Sequence, residues 1–360
     1  LHPVDISDKV RTNLLNVLKG RVLPMLPPDL RIHPVQDDRT PELGYLLIAV
    51  PRSPIAPHAV RAGGRTGQPR YAYARRVGST TAWLEESDIA ALYRNRFRLA
   101  EQHIERVRNQ LKDDTAWLAD TRSHPLRLQM SLVPSTGAER RIERQFITEV
   151  RSFLGLLTSS SNAPATTLPK SLLSEVADVR RGRMRFGGNE IQAIWHADGG
   201  VTLTTELVAP DSTSEIPVLN LTLLEHRVLC MLHLACRYAE WAGAYGDADV
   251  LTCTTSPQRV QLDRTPLNGT TRYESGFPVE SDAGRPCHAI GYLEALAGSY
   301  SQLQSTARRI SADLLADYGV WDLTLLGDSG DVRLERLGAQ DRADMEAWLV
   351  AVGALVSDPQ

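Results

Sequence analysis

Apolar residues recur every three or four positions near the start of the chain. Ile6, Val10, Leu14, Val17 and Leu18 predict a short amphipathic helix over residues 5–19. Pro24, Pro27 and Pro28 end it, because proline lacks the N–H a helix needs. Residues 30–35 and 45–50 then read as strands. The second is a continuous apolar run, which suits an interior strand. Pro51, Pro54 and Pro57 stop that strand. Residues 58–61 read as a short strand, Gly63, Gly64 and Gly67 as a loop tip, and residues 70–77 as one alternating strand. Gly78-Ser79-Thr80-Thr81 reads as a turn. Beyond it Ile89, Leu92, Tyr93, Phe97, Ala100, Ile104, Val107 and Leu111 form the single apolar stripe of a long helix over 85–111.

The remainder alternates between both periods. Residues 126–133 predict a strand and 138–157 a helix. Residues 158–169, rich in Ser, Thr, Ala and Pro, predict an interdomain linker. Residues 183–186, 190–196 and 201–208 predict a β-meander, with turns at Gly187-Gly188-Asn189 and Asp198-Gly199-Gly200. A helix over 221–244, a strand over 250–255 and a helix over 290–318 interrupted at Gly298 follow. Short strands at 321–326 and 332–337 and a closing helix over 341–355 complete the chain. No internal repeat is visible. The expected class is α+β: a first domain over 1–97 with a mixed sheet and helices, a helical connector over 98–157, the linker over 158–169, and a second α+β domain over 170–360.

Composition narrows the function. Of 360 residues, 42% are hydrophobic and 23% charged, as in a folded globular protein. No apolar run approaches the ~20 residues that span a bilayer. The first residues lack a basic and apolar leader, which predicts a cytoplasmic protein without membrane partners. The net charge of −3 excludes a basic field over the whole chain, yet residues 51–110 hold eleven Arg against five acids. Cys230, Cys236, Cys253 and Cys287 follow no zinc or C-x-x-C spacing and read as free thiols. Gly-Lys never occurs, so a P-loop is excluded. H-E-x-x-H and G-x-S-x-G are missing too. His196 and His233 read as structural side chains, and Asp247 and Asp249 as turn acids. No catalytic residue, metal ligand or cofactor is assigned.

The informative stretch is 44–97. Arg75 and Arg76 end an aromatic-containing strand and meet Gly78-Ser79-Thr80, where glycine permits positive φ and successive N–H groups can face an anion. The Ser79 and Thr80 hydroxyls add donors. Arg52 and Arg61 flank a neighbouring strand, Arg70 opens the basic strand, and Tyr71 and Tyr73 offer rings for base stacking. The competing reading is a plain turn beside a solvated Arg face, with Ser79, Thr81 or Ser87 capping the next helix. His58 reads as a core or turn residue. Arg180, Arg181, Arg183 and Arg185, before Gly187-Gly188, form a second basic spot that reads as an exposed hairpin.

Val50, Pro51, Ser53, Pro57, His58, Tyr73, Arg75 or Arg76, Gly78, Ser79 and Thr80 stand in an order that resembles the second half of the AlbA_2 domain, the nucleic-acid-binding domain of the Schlafen family, in its actinobacterial form. The resemblance covers about residues 5–97. It implies DNA or RNA as partner, bound at the matching Tyr73, Arg75 or Arg76, Gly78, Ser79 and Thr80. With the basic residues beside them, the expected contacts are Arg52, Arg61, Arg70, Tyr73, Arg75, Arg76, Gly78, Ser79 and Thr80. Nuclease members hold their metal with an acidic E-x-x-x-x-E-[FL]-K stretch, and no two Glu here lie five apart. Glu85-Glu86 and Asp113-Asp114 belong to or adjoin one helix. Adjacent residues there point in different directions, which suits solvation or a helix terminus. The expectation is therefore binding without cleavage by this chain. The alternatives are a subunit or fragment of a metal-dependent Schlafen-like nuclease, with its acids upstream of Leu1 or on another chain, and an oligomerising interaction module. For the last, helices 85–111 and 290–318 would join copies of the chain or a partner subunit.

Overall fold

The structure, a computed structural model, describes residues 3–24, 31–37, 40–49, 56–62, 70–78, 80–118, 126–138, 140–173, 178–180, 182–187, 191–207, 216–255, 259–267, 278–280, 284–328 and 330–354. The chain is α+β and divides into two compact units, Leu1–Ile104 and Glu105–Gln360. The expected boundaries at 97, 157 and 169 are not where it divides.

The first unit opens with β1 (Val4–Asp5), α1 (Asp8–Arg21) and β2 (Val22–Leu23), followed by β3 (Arg31–Asp37) and β4 (Thr40–Ala49). β4 lies between β1 and β3, but β1 reaches only Leu43 and Gly44. The apolar run itself pairs with β3 alone and exposes Leu47 and Ile48, so it is not the covered interior strand expected. Gly44 of β4 sits where a Cβ would meet the Val35 carbonyl oxygen at 2.2 Å, so only glycine fits. β5 (Ala59–Ala62) pairs with β2 and with β6 (Arg70–Ala72). The strand expected over 70–77 is in fact two. β6 ends at Ala72, and β7 (Ala74–Val77) pairs instead with β8 (Thr80–Trp83), which the sequence reading took as turn and loop. Tyr73 breaks the strand: its carbonyl accepts from the Leu84 N–H at 2.8 Å, and its ring packs edge-on against Tyr93. α2 (Glu86–Leu118) is two turns longer than its stripe indicates.

The second unit holds a seven-stranded antiparallel sheet. Its strands are β9 (Arg127–Thr136), β10 (Asp178–Arg180), β11 (Arg183–Gly187), β12 (Ile191–His196), β13 (Val201–Glu206), β15 (Tyr245–Thr255) and β18 (Cys287–Tyr292). The order is β10-β11-β12-β13-β9-β15-β18. A smaller sheet joins β14 (Val218–Asn220), β16 (Arg259–Asp263) and β17 (Pro278–Glu280). The helices are α3 (Arg144–Leu156), α4 (Thr167–Leu173), α5 (Leu221–Ala242), α6 (Leu293–Gly298), α7 (Tyr300–Ala316) and α8 (Ala339–Ala351).

Alternation divides the sheet into two faces. Leu128, Met130 and Leu132, with Ala193, Trp195, Val201, Leu203 and Val250, face the main core with α5. Their neighbours Ser131, Val133, Ile194, Thr202 and Leu251 meet the second half of α2. The expected connector over 98–157 therefore contains an interior strand of the main sheet. The expected linker over 158–169 is also core: Ala163, Ala165, Thr166 and Leu168 are buried, and the Thr166 N–H and hydroxyl donate to Asp344 Oδ2 of α8 at 2.9 and 2.7 Å. Small residues that read as linker composition here permit close approach to Cys230, His233 and Leu234 of α5. Two further expectations change. Residues 290–292 finish β18 rather than starting a helix, although the break at Gly298 is as expected. The short strands at 321–326 and 332–337 reduce to a single bridge, Leu326 to Val332, and a 3-10 turn at Leu334–Arg336.

α5 is buried almost all round, between the Asn220 cap, whose side chain accepts from the Leu223 N–H, and Gly243 at φ 94°. It carries His226 and His233 into the core. Neither His226 ring nitrogen has a partner, and His233 lies edge-on to Trp348. Burial depresses their pKa values to about 4 and about 3. The unfolded chain takes up protons first, near 6.5. The second unit should thus be fully stable above that pH and lose stability as pH falls towards 4 and 3, each imidazole contributing on the order of 3 kcal/mol. Urea midpoints measured between pH 7 and 4 will show this slope, and His226→Gln with His233→Gln should flatten it.

Candidate nucleic-acid interface

The structure gathers some of the expected phosphate-binding residues and separates others. Arg52 and Ser79 lie outside the described residues. Arg61 of β5 is paired with Tyr71 of β6, which places the two exposed side chains side by side on one face. Arg70 starts β6 opposite Ala62. Arg75, Arg76, Gly78 and Thr80 share the β7–β8 hairpin, a different sheet.

That hairpin is a two-stranded ribbon with every strand residue exposed. Val77 pairs with Thr80 across a two-residue turn, and Gly78 adopts φ 59°, the left-handed conformation that such tight hairpin turns demand at their first central position. Side chains alternate, so Arg75 and Arg76 point to opposite faces. Arg76 shares its face with Thr81 and Trp83, and its Nη1 donates to Thr81 Oγ1 at 3.2 Å. Trp83 is 60% exposed. Arg75 shares the other face with Val77, Thr80 and Ala82.

Two expected roles change. Tyr73 is no free stacking ring: it packs on Tyr93, the two hydroxyls are 2.9 Å apart, and this hydrogen bond raises the Tyr73 pKa above its ordinary value. The Thr80 hydroxyl donates to the Val77 carbonyl at 3.0 Å, so it braces the turn. On this ribbon the exposed aromatic surface comes from Trp83 instead, a residue not among those expected. Its signal was the R-R-V-G-S-T-T-A-W spacing: a two-residue turn after Val77 returns Trp83 to the Arg76 face. With β8 preceding α2, the helix starts too late for position 79 to cap it.

A polar cluster of the second unit centres on Asp114, expected to be solvated or at a helix terminus. Asp114 is fully buried. Its Oδ1 accepts from Arg183 Nη1 at 2.7 Å, and its Oδ2 accepts from the Thr202 hydroxyl at 2.6 Å and lies 2.7 Å from His196 Nε2. Thr202 also lies 3.1 Å from Ser131 Oγ, to which Gln110 donates at 2.9 Å. These residues join one turn after another of α2 to β9, β12 and β13. Next to them Trp117 is ringed by three guanidinium groups, Arg180, Arg183 and Arg185, at 4.3, 5.0 and 5.4 Å from its centroid. Arg185 Nη1 donates to the Trp117 carbonyl at 2.9 Å. Cations at a helix C-terminus offset its partial negative charge. The basic spot is a hairpin as expected, β10 pairing with β11 and Arg180 exposed, but Arg183 and Arg185 are partly buried against the end of α2; Arg181 lies outside the described residues.

A cavity of about 490 Å³ is lined by Arg140, Arg141 and Arg180. Arg140 is committed elsewhere in full, to Glu149 and to the Trp241 and Ala242 carbonyls. All four cysteines are free; burial raises the thiol pKa of Cys253 to about 11 and of Cys287 to about 12, so neither is activated. Asp249, expected in a turn, lies within β15, 2.6 Å from His288 Nε2. Among the described residues no three His, Cys, Asp or Glu side chains converge as a metal site, and no helix is long and apolar enough to cross a membrane. No protein-family model, curated protein or solved structure matches the chain.

Proposed function

We propose that the chain binds nucleic acid through the β7–β8 ribbon, with the Arg76–Thr81–Trp83 face as the contact. The observation that carries this reading is a cation and a large ring on the same face of an exposed ribbon, diagonal to one another, with Gly78 at its turn. A guanidinium displaces counterions from phosphates irrespective of sequence, and an indole stacks on any base. Two isolated strands are only marginally stable in water, so an exposed ribbon of this kind suits a surface that is completed by a partner. A two-stranded ribbon also fits the width of the DNA major groove. Arg75, on the far face, and the Arg61–Tyr71 pair are auxiliary contacts.

Fluorescence anisotropy with labelled duplex DNA, single-stranded DNA and RNA tests the reading. The chain should bind with an affinity that falls as salt rises. Arg76→Ala should weaken binding roughly tenfold and reduce the salt slope by about one. Trp83→Ala should weaken it by about 1–3 kcal/mol, most with single strands. Arg75→Ala should cost less than Arg76→Ala. Binding that ignores both Arg76 and Trp83, or no binding to any of the three probes, refutes the site.

A further inference from the structure

We infer that two copies of this chain associate through the first half of α2, packed antiparallel about a two-fold axis near Phe97. The side of this helix that carries Tyr93 is used within the chain, against Tyr73. The adjoining face is not. On a helix of 3.6 residues per turn, Ala90, Phe97 and Ile104 recur at intervals of seven and line up on that face. All three are exposed, Phe97 by 60% and Ile104 by 52%. An apolar seam of this length on a helix is the usual element of helix pairing.

Charge selects the occupant and its direction. Arg94 and Glu101 border the seam, both exposed, and neither forms an ion pair among the described residues. They are seven residues apart, roughly 10 Å along the axis, and cannot reach each other. In an antiparallel pair centred between positions 97 and 98, Arg94 of each copy faces Glu101 of the other, twice by symmetry. Phe97 meets Phe97 at the axis, and Ile104 meets the small Ala90 and Ala91, which leave room for it. In a parallel pair the flank that carries Arg94 and Glu101 faces the opposite flank of the partner, so Arg94 and Glu101 cannot meet across the seam. An isologous contact in which residue i meets j and j meets i is the signature of a two-fold dimer. The contact spans about fifteen residues, at the small end of specific interfaces, which sets the affinity in the micromolar range.

Sedimentation velocity of the full chain from about 1 to 100 µM reads the result independently of nucleic-acid binding. The mass should rise with concentration from 39.8 kDa towards twice that value. Arg94→Glu and Glu101→Arg should each weaken association roughly tenfold, because each reversal creates two like-charge contacts. The double exchange R94E/E101R should restore it. Phe97→Cys should cross-link the dimer under mild oxidation. A monomer throughout, a dimer indifferent to either reversal, or a double exchange that fails to restore it overturns the proposal.

Discussion

Asp114→Ala should destabilise the second unit by about 3–5 kcal/mol, whereas Asp113→Ala, one residue away and exposed, should change stability by less than about 0.5 kcal/mol. The asymmetry follows from what each carboxylate touches. Asp114 satisfies Arg183, His196 and Thr202 at 2.6–2.7 Å in a site closed to water. Removing it leaves a guanidinium and a hydroxyl without their acceptor and a half-buried imidazole without its partner. The cost is the desolvation of those groups rather than the loss of one contact. Asp114→Asn keeps an acceptor but loses the charge, and should fall between. Urea unfolding followed by the fluorescence of buried Trp117 and Trp195 measures all three. Equal, small effects at 113 and 114 would show that the cluster does not hold α2 to the sheet.

Glu225→Ala should be of comparable severity, about 3–5 kcal/mol. This side chain is fully buried on α5 and accepts four hydrogen bonds: the Thr324 N–H and hydroxyl at 2.6 and 2.7 Å, and the Leu325 and Leu326 N–H groups at 2.9 and 2.8 Å. Three successive backbone donors in segment 324–326 are not used by a regular strand there, so the carboxylate takes the place of a neighbouring strand. Without it they are buried and unpaired. Hydrogen exchange of these three amides should accelerate together in the variant. Unchanged protection would mean that their stability comes from elsewhere.

Much of the architecture was legible in the chain. The two-residue alternation of β9, β12 and β13 and the apolar density of α5 state which faces are covered. Gly78, Gly243 and Asn220 mark ends and turns through local conformation alone. These signals are readable because they depend on neighbours within a few residues. The exposed Arg75–Arg76 pair was legible in the same way. That the two arginines face opposite directions follows from the strand period, but only once the turn at Gly78 and the existence of β8 fix where the strand runs.

The remainder depends on partners far along the chain. Asp113 and Asp114 look alike in sequence; the rotation of α2 over the sheet buries one and solvates the other. Segment 158–169 has a linker's composition, yet its small residues and Thr166 fit against α5 and Asp344, 178 positions away. Arg180, Arg183 and Arg185 form the basic hairpin expected, but only the end of α2 beside them shows that Arg183 and Arg185 are partly buried around Trp117. Sequence by itself determined the α+β class, most helices and strands, and the basic turn of the first unit, because backbone propensity and periodic burial are local. The tertiary structure alone decided which polar groups are buried, since desolvation and hydrogen-bond satisfaction are properties of the assembled surroundings rather than of the residue that carries the charge.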